Sequence, residues 1–536
     1  MRRPVIMLAV LALVSLTIVF ALLGTAGGPS SRSPGPVGGR SGRVGGRSGP
    51  GGGRSGPGGD SSGRVGGSTG PVGGSTGPVS NKPNSPTSGS APTHGSGSGT
   101  FTTGIVDTVY DQSQARSTWL NRTVASGAQT ILMWVDWAAV SPQQPSAGTD
   151  PSDPGNPAYN WGTLDAAVRA AAAHGLTVVL SITRVPPWAE GPGQPPSSVP
   201  DTWRPNATAA AAFAKAVARR YSGSFNPGTG VLPRVRYFQA WTEPNLPDQI
   251  SPQWIRVGRH WVAESPIIYR ALLNGIYKAV KAVNSSNVVI TAGTAPYGDP
   301  PGGQRMRPAL FWQDVLCLTG QLKPAPCPNP AHFDVLAHDP YSFAGPLRRA
   351  YWSNDVTLPD MWKLTRILAA AERTGRALPH VNHQVWVTEF GWNSWPPTRG
   401  GVPIRTRARW IDEALYELWR QGITTAMWYL IVDQPRTTGV SWQTGLYYDN
   451  GRRKPGFEAF RFPFVAEPVA KGVAAVWAVS PHAGTVRVQE LESGRWKTAL
   501  RIRVPAHSVI DRTVATVGRP MFRAVAGSDV SLGWRA

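Results

Sequence analysis

Cysteine is nearly absent. The chain has two in 536 residues, Cys317 and Cys327, ten positions apart in one Pro-rich stretch. That excludes a multi-disulfide scaffold. It also speaks against a thiolate metal centre, because two sulfurs with no histidine between them do not complete a tetrahedral site. What remains for the pair is one local disulfide in an oxidising compartment, or two separate thiols. Acidic residues are scarce as well: 31 Asp and Glu face 53 Lys and Arg, for a formal net charge of +22. Residues 1–100 hold +8 of this and the remainder +14. Such a balance favours anionic surfaces, such as an anionic cell envelope, by diffuse attraction. It does not mark a nucleic-acid binder, because along the chain the cations are scattered rather than gathered into a stripe with aromatics. No G-x-G-x-x-G follows the first β-prone run, and G-x-S-x-G occurs only within the Gly-rich repeats and nowhere in 101–536, so a dinucleotide fold and an esterase elbow both lack their signatures. Nothing has the spacing of metal ligands, and no cofactor is expected.

Residues 1–100 contain one aromatic, Phe20. Arg2 and Arg3 precede an uncharged apolar stretch, Val5 to Leu23, and Gly24-Thr25-Ala26 closes it with small residues. Residues 1–26 read as a signal peptide, or as an uncleaved signal-anchor that tethers the chain to the outer face of the membrane. Both place the rest outside the cytoplasm. Residues 27–100 are Gly, Ser, Pro and Arg-rich, with six copies of a seven-residue unit (GGRSGRV, GGSTGPV and variants) over 38–79. Without an apolar seam this period is not a coiled coil, and the composition reads as a disordered linker.

From residue 101 the pattern alternates. β-Prone runs fall near Gly104–Thr108, Thr130–Trp137, Thr177–Thr183, Arg234–Trp241, Val288–Gly293, Phe333–His338, Gln384–Thr388 and Thr424–Ile431. Several are continuously apolar, as parallel strands covered on both faces are. Helical stretches fill the gaps, stopped at Gly175, Gly375 and Gly422. Eight strands alternating with helices predict a (β/α)₈ barrel over 101–462. Residues 463–536 switch to short β-prone runs separated by turn residues, which predicts a small C-terminal β-sandwich that either braces the barrel or binds carbohydrate.

Catalytic groups of a barrel sit at strand C-termini. The fourth run ends in Trp241-Thr242-Glu243-Pro244-Asn245 and the seventh in Thr388-Glu389-Phe390-Gly391-Trp392. A glutamate at each of two tips can face its partner across one cup. One protonated and one ionised carboxyl are what glycosidic cleavage requires, and mutual repulsion separates their pKa values. Either glutamate alone would read as an ion-pair or surface residue; the pair reads as catalysis. Asp136, Arg184 and Asp433, and the tryptophans 134, 137, 188, 241, 392, 395 and 428, also lie at or just past tips, where indole faces could stack on sugars.

The stretch 101–460 resembles the large clan of retaining (β/α)₈ glycoside hydrolases, and within it families 39 and 5, most of all family 39. The matching pieces are Trp137-Ala138-Ala139-Val140-Ser141-Pro142, Tyr159-Asn160-Trp161, Pro187-Trp188, Trp241-Thr242-Glu243-Pro244-Asn245, His338-Asp339-Pro340-Tyr341 and Thr388-Glu389-Phe390-Gly391-Trp392. The resemblance implies Glu243 as acid/base and Glu389 as nucleophile. It implies His338 and Tyr341 beside the nucleophile and Trp428 as a sugar platform. Asn245, Trp188, Trp137 and Asp136 would complete the carbohydrate site. Two positions depart from the clan pattern: Thr242 stands where Asn usually precedes the acid/base, and Leu132 lies where many members have Arg. The leading reading is hydrolysis of an extracellular oligo- or polysaccharide. A non-catalytic carbohydrate-binding protein and a transglycosylase are the alternatives.

Overall fold

The computed structural model describes residues 99–436 and 441–536. The apolar run at 5–23 and the repeats at 38–79 lie outside the described residues. Among the described residues no helix is long and apolar enough to cross a membrane.

Eight strands form a closed barrel: β1 (Thr102–Val106), β2 (Thr130–Asp136), β3 (Thr177–Thr183), β4 (Tyr237–Ala240), β5 (Val288–Thr291), β6 (Val335–His338), β7 (Gln384–Phe390) and β8 (Thr425–Tyr429). They follow chain order around the ring, every neighbouring pair is parallel, and β8 closes on β1 from Thr102↔Thr425 to Val106↔Tyr429. All eight expected strands are present, with ends shifted by up to three residues. Each is followed by a helix: α1 (Arg116–Ala125), α2 (Gly162–Ala173), α3 (Ala207–Arg220), α4 (Ser265–Val283), α5 (Pro308–Val315), α6 (Trp362–Arg373), α7 (Ile404–Arg420) and α8 (Gly456–Arg461). Asn206 caps α3 by accepting from the backbone N–H of Thr208 and Ala209. Gly175, Gly375 and Gly422 stop α2, α6 and α7 at positive φ, a conformation that glycine adopts without cost.

Side chains alternate between two apolar layers along each strand. Val106, Leu132, Val179, Ile290, Ala337 and Met427 fill the barrel interior. Their neighbours Ile105, Met133, Leu180, Val289, Leu336 and Trp428 pack between strands and helices. Asp107 ties the ring shut just beyond β1, accepting from the backbone N–H groups of Val109, Ile431 and Val432. The disulfide Cys317–Cys327 is formed in the segment after α5.

Beyond α8 come β9 (Phe464–Ala470), β10 (Val473–Val479), β11 (Gly484–Glu492), β12 (Arg495–Val504), β13 (Val509–Ala515), β14 (Met521–Ala526), β15 (Asp529–Val530) and β16 (Trp534–Arg535). They make two antiparallel sheets, β9-β10-β13 and β12-β11-β14, with β15 and β16 both on β14. The sheets share one apolar core that includes Phe464, Val476, Val488, Ile510 and Phe522. The sequence shows no run at β9, because Glu467 and Pro468 interrupt it. β9 is an edge strand, where a proline costs no ladder bond. The other face of the three-stranded sheet seats Trp477 against Tyr416 and Trp419 of α7, at centroid distances of 5.4 and 5.9 Å. Removing so buried an anchor costs about 3–5 kcal/mol.

Candidate active site

The chain turns sharply after β4. Trp241 and Glu243 both have positive φ, 79° and 36°, each strained by roughly 1–3 kcal/mol for a residue with a Cβ. The surroundings hold them there. Trp241 donates its backbone N–H to Ile182 and its indole N–H to Gln249, and Glu243 donates its backbone N–H to the Gly293 carbonyl. The turn aims Glu243 into the cup, where it is 2% exposed and its Oε1 has no hydrogen-bond partner among the described residues.

Glu389 arrives by a different device. Trp386 points into the barrel, and Val387 and Phe390 both point to the helices. Strict alternation cannot put two residues between two outward ones. Here three residues of β7 advance against two of β8, from Val387↔Ala426 to Phe390↔Trp428. This bulge turns both Thr388 and Glu389 inward. Thr388 donates to Asp339 at 2.7 Å, and the Tyr341 hydroxyl donates to Glu389. Gly293 makes room, since a Cβ there would collide with the Asp339 carboxyl.

The result is a buried trio of carboxyl groups, Glu243, Asp339 and Glu389, with no Lys or Arg paired to them among the described residues. Burial raises Glu389 to about 7, against the Tyr341 hydrogen bond that lowers it. Burial, and then the charges of Glu389, Asp339 and Asp248, hold Glu243 well above the usual carboxylate range. Asp339 is raised by burial and by Glu389. The Tyr341 hydrogen bond favours the ionised form of Glu389, and the Oε1 of Glu243 has no such donor among the described residues.

Four aromatics wall this cup. Tyr429 meets Trp134 edge-on at 6.3 Å and Trp442 at 5.7 Å, and Trp442 lies 6.1 Å from Tyr341. Asp136 sits at the β2 tip, half-buried, 3.8 Å from Arg184, which also pairs with Asp201. Trp188 is half-buried, bonds Ser141 and stands edge-on to Trp137 at 5.5 Å.

Four expected substrate contacts are placed elsewhere. Trp428 is one residue out of phase: it faces the helix layer, fully buried against Phe390 and under Arg407, and Tyr429 takes the inward position. His338 is out of phase on β6 in the same way. Both of its ring nitrogens are used, by Thr294 and the Val356 carbonyl, and burial drops its pKa to about 4. Asp339, the next residue, faces the glutamates. Trp137 is fully buried and stacked on Phe213. Asn245 is a brace: its amide nitrogen donates to the Ala295 and Met306 carbonyls and its oxygen accepts from Ala295 N–H. Trp241 and Trp392 are buried, and Trp395 is exposed. Asp433 is buried and paired with Lys454. Asp339, Tyr429 and Trp442 were not singled out as site residues. Counting alternate residues along β6 and β8 finds the first two. Trp442 lies in a loop where no periodicity points.

No protein-family model and no curated protein matches the chain. Similar solved structures include a family 39 glycoside hydrolase from the gut symbiont Bacteroides cellulosilyticus WH2, 17% identical over 77% of this chain and 80% of that one, with a TM-score of 0.47. The GH39 enzyme from Xanthomonas axonopodis pv. citri is 14% identical over 79% and 92%, at 0.43. Thermotoga maritima Cel5A, solved with mannotriose, is 14% identical over 67% and 97%, at 0.38. The fold assignment stands on the closed barrel itself.

Proposed function

We propose that the chain is a retaining glycoside hydrolase acting on O-glycosidic bonds of an extracellular oligo- or polysaccharide. The observation that carries this reading is the pair of buried, interacting carboxyl groups, Glu243 beyond β4 and Glu389 in β7, of which Glu389 accepts from Tyr341. In the first step the Glu389 carboxylate attacks the anomeric carbon while Glu243 gives its proton to the departing oxygen. The glycosidic C–O bond breaks and an ester to Glu389 forms. Esterification removes the charge on Glu389, one of the causes that hold the Glu243 pKa up. Glu243 then becomes the base that takes a proton from water, whose oxygen displaces Glu389. The unpartnered Oε1 of Glu243 fits a group that waits for a substrate oxygen.

The test is Glu389→Gln assayed on a panel of aryl pyranosides and furanosides. The expected loss is roughly 10⁴-fold or more in kcat. A mutant that keeps the wild-type rate refutes the nucleophile assignment.

A further inference from the structure

Four arginines that look scattered in sequence, Arg487, Arg501, Arg503 and Arg523, converge on the outer face of the five-stranded sheet. Along β11, Val486 and Val488 point into the shared core, so Arg487 and Gln489 point out. On β12, Leu500, Ile502 and Val504 lean on the core, so Arg501 and Arg503 point out and are exposed. The register sets Arg487 directly opposite Arg501, and Thr485 opposite Arg503. On the other side of β11, Arg523 of β14 stands opposite Gln489 and bonds its side-chain oxygen at 2.9 Å. The Arg523 guanidinium lies 4.1 Å over the Trp496 ring. A cavity of about 350 Å³ opens at the end of this row, lined by Ala483, Gly484, Arg503, Val504 and Pro505.

Nearby acids do not neutralise the row. Glu492 is taken by Lys497, Glu490 accepts from Thr516 and Asp529 pairs with Arg461. Like charges facing each other across a strand pair are destabilising, so folding gives no reason for Arg487 against Arg501. An anionic ligand does. The opposite side of this two-sheet unit is already covered, through Trp477 on α7, and the arginine face is turned away from that contact.

We propose that this face and its cavity form a binding site for an anionic polysaccharide, one carrying carboxylate or phosphate groups. The arginines would neutralise the charges and the Trp496–Arg523 stack would offer a flat surface to a sugar ring. The choice of a glycan over other polyanions rests on the hydrolase reading. The site would hold the polymer while the barrel works on it.

The test compares the full chain with the triple variant Arg487→Gln, Arg501→Gln, Arg503→Gln. Binding is titrated against polygalacturonate and against neutral pullulan at several salt concentrations. Wild type is expected to bind polygalacturonate and not pullulan. The variant should bind about tenfold more weakly at low salt, with a flatter salt dependence. Its melting temperature should be unchanged or higher, and its rate on a small aryl glycoside unchanged. Equal binding by wild type and variant overturns the proposal. So does tighter wild-type binding to duplex DNA, or to phosphatidylcholine vesicles containing phosphatidylglycerol, than to polygalacturonate at equal ionic strength. A chain that cleaves no glycoside yet binds polygalacturonate through these arginines sinks the hydrolase reading and leaves this one standing.

Discussion

In the proposed mechanism Tyr341 sets the pH at which Glu389 becomes a nucleophile. Its hydroxyl donates to the Glu389 carboxyl, and this is the one interaction that lowers a pKa held at about 7 by burial. Tyr341→Phe deletes the donor and keeps the ring that faces Trp442. A hydrogen bond to a charged group is worth about 1.5–3 kcal/mol. At 1.36 kcal/mol per pH unit, the Glu389 pKa should rise by roughly one to two units, to about 8–9. The acid limb of kcat/KM against pH, which reports the free enzyme, should move by the same amount toward alkaline pH. At pH 6 the variant should be about 10–100 times slower than wild type and should recover much of the loss at alkaline pH. The assay is kcat/KM on one aryl glycoside from pH 5 to 10. A limb that stays near 7 or moves to lower pH refutes the assigned hydrogen bond and its role.

Other consequences follow from the same groups. Glu243→Ala should cost little with a leaving group that departs without a proton and much with one that needs it, read as a ratio of rates on dinitrophenyl and methyl glycosides. Asn245→Ala orphans the Ala295 N–H and the Ala295 and Met306 carbonyls, and should cost about 3 kcal/mol in urea unfolding. Lys454→Met leaves Asp433 buried without its ion-pair partner and should cost about 3–5 kcal/mol by the same measurement. Asp107 is raised by burial to about 7. The folded chain keeps this proton between pH 4 and 7 where the unfolded chain has lost it, so stability falls as pH rises through that window, by up to about 1.4 kcal/mol per unit. Asp107→Asn should remove that share of the slope, seen in unfolding curves at pH 5 and 7.5.

The barrel was legible in the sequence because parallel strands covered on both faces read as apolar runs, and each of the eight runs became a strand. Glu243 and Glu389 were singled out by their positions just past, or at the end of, such runs, and the fold brings their carboxyl groups together. Phase was harder to read. In β8 and β6 both faces are apolar, so the sequence does not say which alternate residues look inward. Trp428 and His338 came from the family resemblance, and the apolar pattern offered nothing to choose Tyr429 and Asp339 instead. Glu389 breaks the alternation through a bulge that only pairing with β8 reveals. Asn245 looks like a sugar ligand by position and is consumed by two backbone segments that meet only in the fold. The arginine face is invisible along the chain because its members come from three strands.

The most direct test of the mechanism is the anomeric configuration of the first product. Wild-type enzyme cleaving an aryl glycoside of fixed anomer, followed by proton NMR from the first minutes, should release sugar of the same configuration before mutarotation blurs it. Release of the inverted sugar would contradict a covalent intermediate on Glu389.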